Sequence, residues 1–154
     1  MLILLLCVLG LPLLGGLGAV FTGDSLREWY QTLQKPPGVP PNAVFGPVWS
    51  VLYLMMGLSL ARVILRARPG RDKRVALGAF AIQLVLNLAW TPVFFGAHQI
   101  FAGLAIIVCL WFGILLTIRL FFPLDRPAAW LLFPYAVWVG YATYLNAGYW
   151  WLNR

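Results

Sequence analysis

The 154 residues are 62% apolar and only 10% charged, with a formal net charge of +7, and the mean hydropathy is +0.87. Soluble domains carry about 25% charged and about 45–50% apolar residues, and a soluble fold of this size would still turn about a third of its surface to water. A soluble domain is therefore excluded, a disordered chain is excluded for want of polarity, and the composition predicts an integral membrane protein.

A spanning helix takes about 20 apolar residues, so the length allows five or six spans and no separate soluble catalytic domain. The chain reads as a single all-α membrane domain over residues 1–154, a polytopic bundle of five transmembrane helices. The first run, Leu2–Thr22, lacks the basic start of a secretory signal. Leu6 also stands before Cys7, where a lipoprotein cleavage site wants a small residue, so the run is expected to be a helix. Gly23–Pro41 is polar and proline-rich. Asp24 or Ser25 is expected to cap a short helix through Leu33, with Glu28 in the capping-box position for Ser25, before Pro36, Pro37, Pro40 and Pro41 forbid regular helix. This long loop, 23–41, has the character of a lid. Four further spans are expected at about Asn42–Leu65, Val75–Phe95, Gln99–Phe122 and Ala128–Trp151.

Six of the 11 basic residues, Arg62, Arg66, Arg68, Arg71, Lys73 and Arg74, fall in one loop and its flanks. Five spans put this loop, Arg119 and Arg126 on the side of the N-terminus, so the positive-inside rule predicts a cytoplasmic N-terminus, with a bacterial inner membrane as the default location. With no extended basic face, nucleic acid is not an expected partner; membrane lipids are. Cys7 and Cys109 lie in apolar runs and read as small buried residues. Repeats and intramembrane charges, the marks of coupled transporters, are missing from the sequence.

The four carboxylates, Asp24, Glu28, Asp72 and Asp125, all fall in loops or at helix ends, so no acid–base pair stands out and no metal site is expected. His98, in a tight turn, is read as a solvated or head-group residue, with axial haem ligation as the alternative. The informative residues repeat at helical spacing: Trp49, Tyr53 and Met56; Gln83, Asn87, Trp90 and Phe94; and Tyr135, Trp138, Ala142, Leu145 and Tyr149. Gln83 and Asn87 are uncharged amides in hydrocarbon. They serve either as glue between helices or as polar groups in a binding cavity walled by aromatic rings. Such a cavity suits a large planar hydrophobic ligand. Trp49, Trp90 and Trp138 are expected inside, Trp150 and Trp151 in an interfacial belt, and Tyr149 and Arg154 as interfacial anchors. Small-x-x-x-small pairs occur at Gly15/Ala19, Gly57/Ala61, Cys109/Gly113 and Ala136/Gly140, too many to choose an interface.

The ordered pattern Trp29-Tyr30-x-x-Leu33-x-Lys35-Pro36, Pro40-Pro41, Val44-Phe45, Trp49-x-x-Leu52-Tyr53, Gln83-x-x-x-Asn87-x-x-Trp90, Phe94-Phe95-Gly96, Pro134-Tyr135-x-x-Trp138 and Leu145-Asn146 resembles the translocator protein family, the tryptophan-rich sensory proteins or peripheral-type benzodiazepine receptors. The match covers about three quarters of the chain. The resemblance implies a five-helix bundle, commonly a homodimer. It also implies a receptor for protoporphyrin IX or haem that needs no further cofactor, with sterols and benzodiazepine-type molecules as ligands of some relatives. The pocket implied by motif position includes Trp49, Tyr53, Asn87, Trp90, Phe94, Trp138, Ala142 and Leu145; Gln83 and Tyr135 join it as neighbours on the same stripes. Some relatives degrade porphyrins in light, which makes the indoles of Trp49 and Trp138 the candidates for any chemistry; transport of porphyrin, sterol or lipid is a further alternative. Two departures stand out. Gly38 occupies a lid position where many relatives have Trp, and Ala147 one where they often have Tyr.

Overall fold

The computed structural model describes the backbone of residues 2–154 and the side chains of residues 2–16 and 28–154; it is helical, with no strand among the described residues. Helix α1 spans Leu2–Arg27 and α2 is a single turn at Trp29–Thr32. The first helix thus runs past Thr22, because no proline falls between Pro12 and Pro36, and the expected loop keeps irregular backbone only after α2. The side chains of Asp24 and Ser25 lie outside the described residues. Glu28 occupies the N-cap of α2 without a side-chain capping bond.

Helix α3, Asn42–Arg66, starts directly after Pro41. Helix α4, Arg71–Thr91, begins four residues before the expected Val75, with Arg71, Asp72 and Lys73 in its polar first turn, where Asp72 favours the helix dipole. Its continuation, Pro92–Gly96, is a π-turn closed by the Ala97 N–H on the Pro92 carbonyl at 2.8 Å. Proline there cannot donate to the carbonyl four residues back, and in the wider turn both Phe94 and Phe95 are buried. Helix α5 is Ile100–Phe121. The expected last span is split into α6, Arg126–Leu131, and α7, Phe133–Leu152. The break falls at Leu132, since Pro134 lacks the N–H that would continue the ladder across it.

Helix α1 lies along α3, α4 along α5, α5 along α7, and α6 on α3. These approaches are close because small residues sit at the crossings. A Cβ on Gly57 would strike the Cys7 carbonyl, one on Gly15 the Tyr53 ring, one on Gly113 would come within 3.2 Å of Gln83, and one on Gly140 within 3.0 Å of the Trp111 indole nitrogen. The glycines of the small-residue pairs thus face helices of their own chain.

Helices Asn42–Arg66, Arg71–Gly96 and Ile100–Phe121 are long and apolar enough to cross a membrane. Their outer faces carry exposed side chains such as Ile82, Val85, Phe101 and Phe112, surface that a soluble monomer rarely shows. At the end of the bundle holding the 66–71 loop, Arg62 and Asp125 form a two-pronged ion pair at 3.0 and 3.1 Å. Asp125 also caps α6 through the Ala128 N–H at 2.8 Å. Burial alone raises the Asp125 pKa, but the Arg62 hydrogen bond, the Ala128 N–H and the positive charges of Arg62 and Arg66 together hold it below the ordinary carboxylate value.

Candidate functional site

At the opposite end, α3, α4 with its π-turn, and α7 enclose a cavity beneath α2 and the proline-rich segment. Its wall consists of Phe45 and Trp49 from α3, Trp90, Phe94 and Phe95 from α4 and the π-turn, Trp138, Ala142, Leu145, Asn146 and Tyr149 from α7, and Tyr30 from α2. The helical spacing explains the contribution of α7: residues 138, 142, 145 and 149 recur every three or four positions and share one face. Trp90 stacks on Phe94 with ring centres 5.3 Å apart, and Phe45 meets Trp138 edge-on at 6.0 Å.

Polar groups are few, and they differ in how they are satisfied. The Trp90 indole N–H donates to Asn146 Oδ1 at 3.0 Å, and Asn146 Nδ2 donates to the Ile100 carbonyl at 3.2 Å. The Tyr149 hydroxyl donates to that of Tyr30. The Trp138 indole N–H, by contrast, is buried and has no partner among the described residues. A buried donor without an acceptor costs about 1–3 kcal/mol, so this wall holds an unmet preference for an acceptor atom.

Of the residues expected at the site, Trp49, Trp90, Phe94, Trp138, Ala142 and Leu145 converge on the cavity. Tyr53, Gln83, Asn87 and Tyr135 lie outside its wall and bind one another instead. The Tyr53 hydroxyl donates to Asn87 Oδ1, Asn87 Nδ2 donates to the Tyr135 hydroxyl at 2.9 Å, and Tyr135 donates to Gln83 Oε1 at 2.9 Å. The amides therefore act as glue across α3, α4 and α7, because phenols at matching depth on the two neighbouring helices reach them first. Gln83 Nε2 is left without a partner among the described residues.

Tyr30, Phe45, Phe95 and Asn146 are wall residues that stripe counting passes over. Tyr149 is not an interfacial anchor: it is buried and hydroxyl-paired with Tyr30. Its place on the same face as Leu145 in the α7 stripe was the available signal. Phe95 needs the π-turn, for which spacing offers no sign. Trp151 is exposed, and Arg154 stacks on it at 3.7 Å.

The lid is fastened to α7. The Gln34 N–H donates to Asn153 Oδ1 at 2.9 Å and Asn153 Nδ2 returns a bond to the Gln34 carbonyl at 3.0 Å. Tyr141 donates to the Gly38 carbonyl and Tyr144 to that of Pro37. Gly38 has φ +89°, a left-handed conformation that glycine adopts without strain. Gly148 lets Pro36 sit on α7, since a Cβ there would come within 2.6 Å of the proline ring. His98, also at positive φ (56°), lies outside the cavity wall and stacks on Trp29 at 4.4 Å. Burial raises the pKa of the Tyr30 hydroxyl above its usual value, so it stays a neutral donor and acceptor under the lid.

In this closed form the cavity holds about 90 Å³, the volume of about three waters, against about 300–1,000 Å³ for ligand sites. A large ring ligand can enter only if the lid lifts or the wall rings turn.

The sequence model of the TspO/MBR family matches residues 3–152. The chain is 44% identical over 144 residues to the tryptophan-rich protein TspO of Chlorobaculum tepidum, covering 93% of this chain and 90% of that one. It is 40% identical to the bovine translocator protein over 149 residues, 94% and 86% of the two chains. It is also 40% identical to a tryptophan-rich sensory protein of Cereibacter sphaeroides over 127 residues, 81% and 78%.

Proposed function

The chain belongs to the TspO/MBR family of membrane proteins, and from that premise we propose that it is a receptor or sensor binding a tetrapyrrole, protoporphyrin IX or haem, in the aromatic cavity. The observation that carries this reading is the cavity wall: Trp49, Trp90, Phe94 and Trp138 offer ring faces to a flat ligand, and the free Trp138 N–H offers one orienting hydrogen bond. Affinity comes from burying apolar ring surface at about 25 cal/mol per Å² before the costs of binding, part of which is opening the lid. The names of the relatives, sensory protein and translocator, fit a protein that responds to or moves a small molecule.

In this reading five segments cross the membrane: α1, α3, α4 with its π-turn, α5, and α6 with α7. The N-terminus and the basic 66–74 loop face the cytoplasm of a bacterium, the lid faces the far side, and two copies form a dimer. Sterols or benzodiazepine-type molecules are alternative occupants of the same site.

The test is a titration of detergent-solubilised protein with protoporphyrin IX in the dark, followed by tryptophan quenching and the porphyrin absorption band. Saturation near one ligand per chain is expected; absence of saturable binding overturns the reading. A second reading, light-dependent oxidation of the bound porphyrin, is favoured by Trp49 and Trp138 standing in the wall as oxidisable indoles. Repeating the titration under illumination tests it: new absorption bands that require light and vanish in Trp-to-Phe variants are expected if the chemistry occurs.

A further inference from the structure

The end of the bundle away from the cavity carries two adjoining hollows that the ligand-binding reading leaves without a role. One, of about 470 Å³, is bordered by Arg66, Arg68, Arg71 and Lys73; the other, of about 1,090 Å³, by Arg119 and Arg126. Pro123, Leu124 and Asp72 form the ridge they share. Most of the charge here is uncompensated. Asp125 is taken by Arg62 and the α6 cap, and Lys73 is taken by the Ile64 and Ala67 carbonyls at 2.7 and 3.1 Å. Arg126 lies over the Phe122 ring. Arg68, Arg71 and Arg119 have neither an ion pair nor a hydrogen bond among the described residues, and all three are exposed. Among the described residues that border the hollows, Asp72 is the carboxylate left to answer them.

Beside the hollows the surface turns apolar at once: Leu65, Val75, Leu116, Phe122 and Trp130 are between 40% and 57% exposed. Unanswered guanidinium groups directly above an exposed hydrocarbon face match a molecule with an anionic head and acyl tails. Guanidinium forks suit phosphate oxygens, and basic pockets at helix ends on the cytoplasmic side are where acidic lipid headgroups collect.

We propose that these hollows form a binding site for the headgroup phosphate of an anionic phospholipid, held by Arg68, Arg71 and Arg119, with its acyl chains along the Val75, Leu116 and Phe122 face. The proposal rests on membrane insertion, not on the identity of the cavity ligand, so it stands or falls apart from the tetrapyrrole reading.

The test counts lipid adducts by native mass spectrometry on the full chain in detergent, with dioleoylphosphatidylglycerol against zwitterionic dioleoylphosphatidylcholine. The wild type is expected to retain the glycerol lipid at least about tenfold better, and less so as salt rises. R71Q/R119Q is expected to lose about twenty-fivefold in that affinity, at about fivefold per basic residue near a charged surface. K35Q/R154Q, which removes the same charge from the lid end, is expected to lose less than about twofold. Equal losses in the two variants would reduce the effect to overall charge and overturn the site, as would equal retention of both lipids by the wild type. Glycerol phosphate at millimolar concentration is the control for a free anion. Displacement of the lipid by it would mean that the acyl chains add nothing and would overturn the lipid assignment.

Discussion

In the middle of the bundle Tyr53, Asn87, Tyr135 and Gln83 hydrogen-bond to one another from three helices, while around the neighbouring cavity Trp49, Trp90, Phe94 and Trp138 present rings, and the buried Trp138 N–H has no partner among the described residues. Both groups come from the same stripes of α3, α4 and α7, one or two turns apart. Where polar groups on facing helices meet at matching depth they satisfy each other and lock the helices together; in the cavity wall the Trp90 N–H reaches Asn146, but that of Trp138 meets no acceptor among the described residues. Glue and receptacle are therefore built from nearly the same residues, and the difference lies in whether the donors are already used.

The sharpest way to break this contrast is Asn87→Leu. It strips both Tyr53 and Tyr135 of a buried partner and is expected to lower stability by about 2–3 kcal/mol, read as thermal unfolding in detergent, with porphyrin affinity changed less than about twofold in the folded fraction. A large affinity loss without destabilisation would return Asn87 to the site. Trp138→Ala should leave that network intact and weaken protoporphyrin IX binding by about 1–3 kcal/mol, its cost in stability coming from lost ring packing alone; unchanged affinity in the folded variant removes Trp138 from the site.

The ion pair beyond the network offers a comparison by pH. Asp125 has a lowered pKa in the folded protein, so its contribution is present above the unfolded carboxylate value of about 3.9 and is lost as pH falls through the lower folded value. Stability of the wild type is expected to fall as pH drops below the unfolded carboxylate value of about 3.9. In Asp125→Asn it should start lower and lack that step; an identical pH profile for the two proteins would show that the pair contributes nothing. The smallest effect belongs to the lid. Tyr141→Phe removes its bond to the Gly38 carbonyl, worth about 0.5–1.5 kcal/mol, and stopped-flow quenching should show porphyrin entry about 2–10 times faster if lid opening limits the rate.

Much of the site was legible along the chain because helical periodicity places Trp138, Ala142 and Leu145 on one face whatever surrounds them. Phe95 was not, since its inward turn depends on the π-turn at Pro92–Gly96. Nor was the burial of Tyr149, which depends on Tyr30 arriving from a segment more than a hundred residues away. The extension of α1 to Arg27 and the break at Leu132 are local shifts of helix ends, where polar and proline residues compete over a turn or less.

The sequence by itself determined the membrane environment, the helical class and the aromatic stripes, because hydrocarbon forces backbone bonds inside each segment and composition and spacing are local properties. Only the tertiary structure decided which amides are glue, that the lid is tied to α7 by Asn153, Tyr141 and Tyr144, and that the buried Trp138 donor meets no acceptor among the described residues. Those outcomes depend on the relative depth and rotation of neighbouring helices, which close contacts at Gly57, Gly113 and Gly140 set and which no single helix encodes.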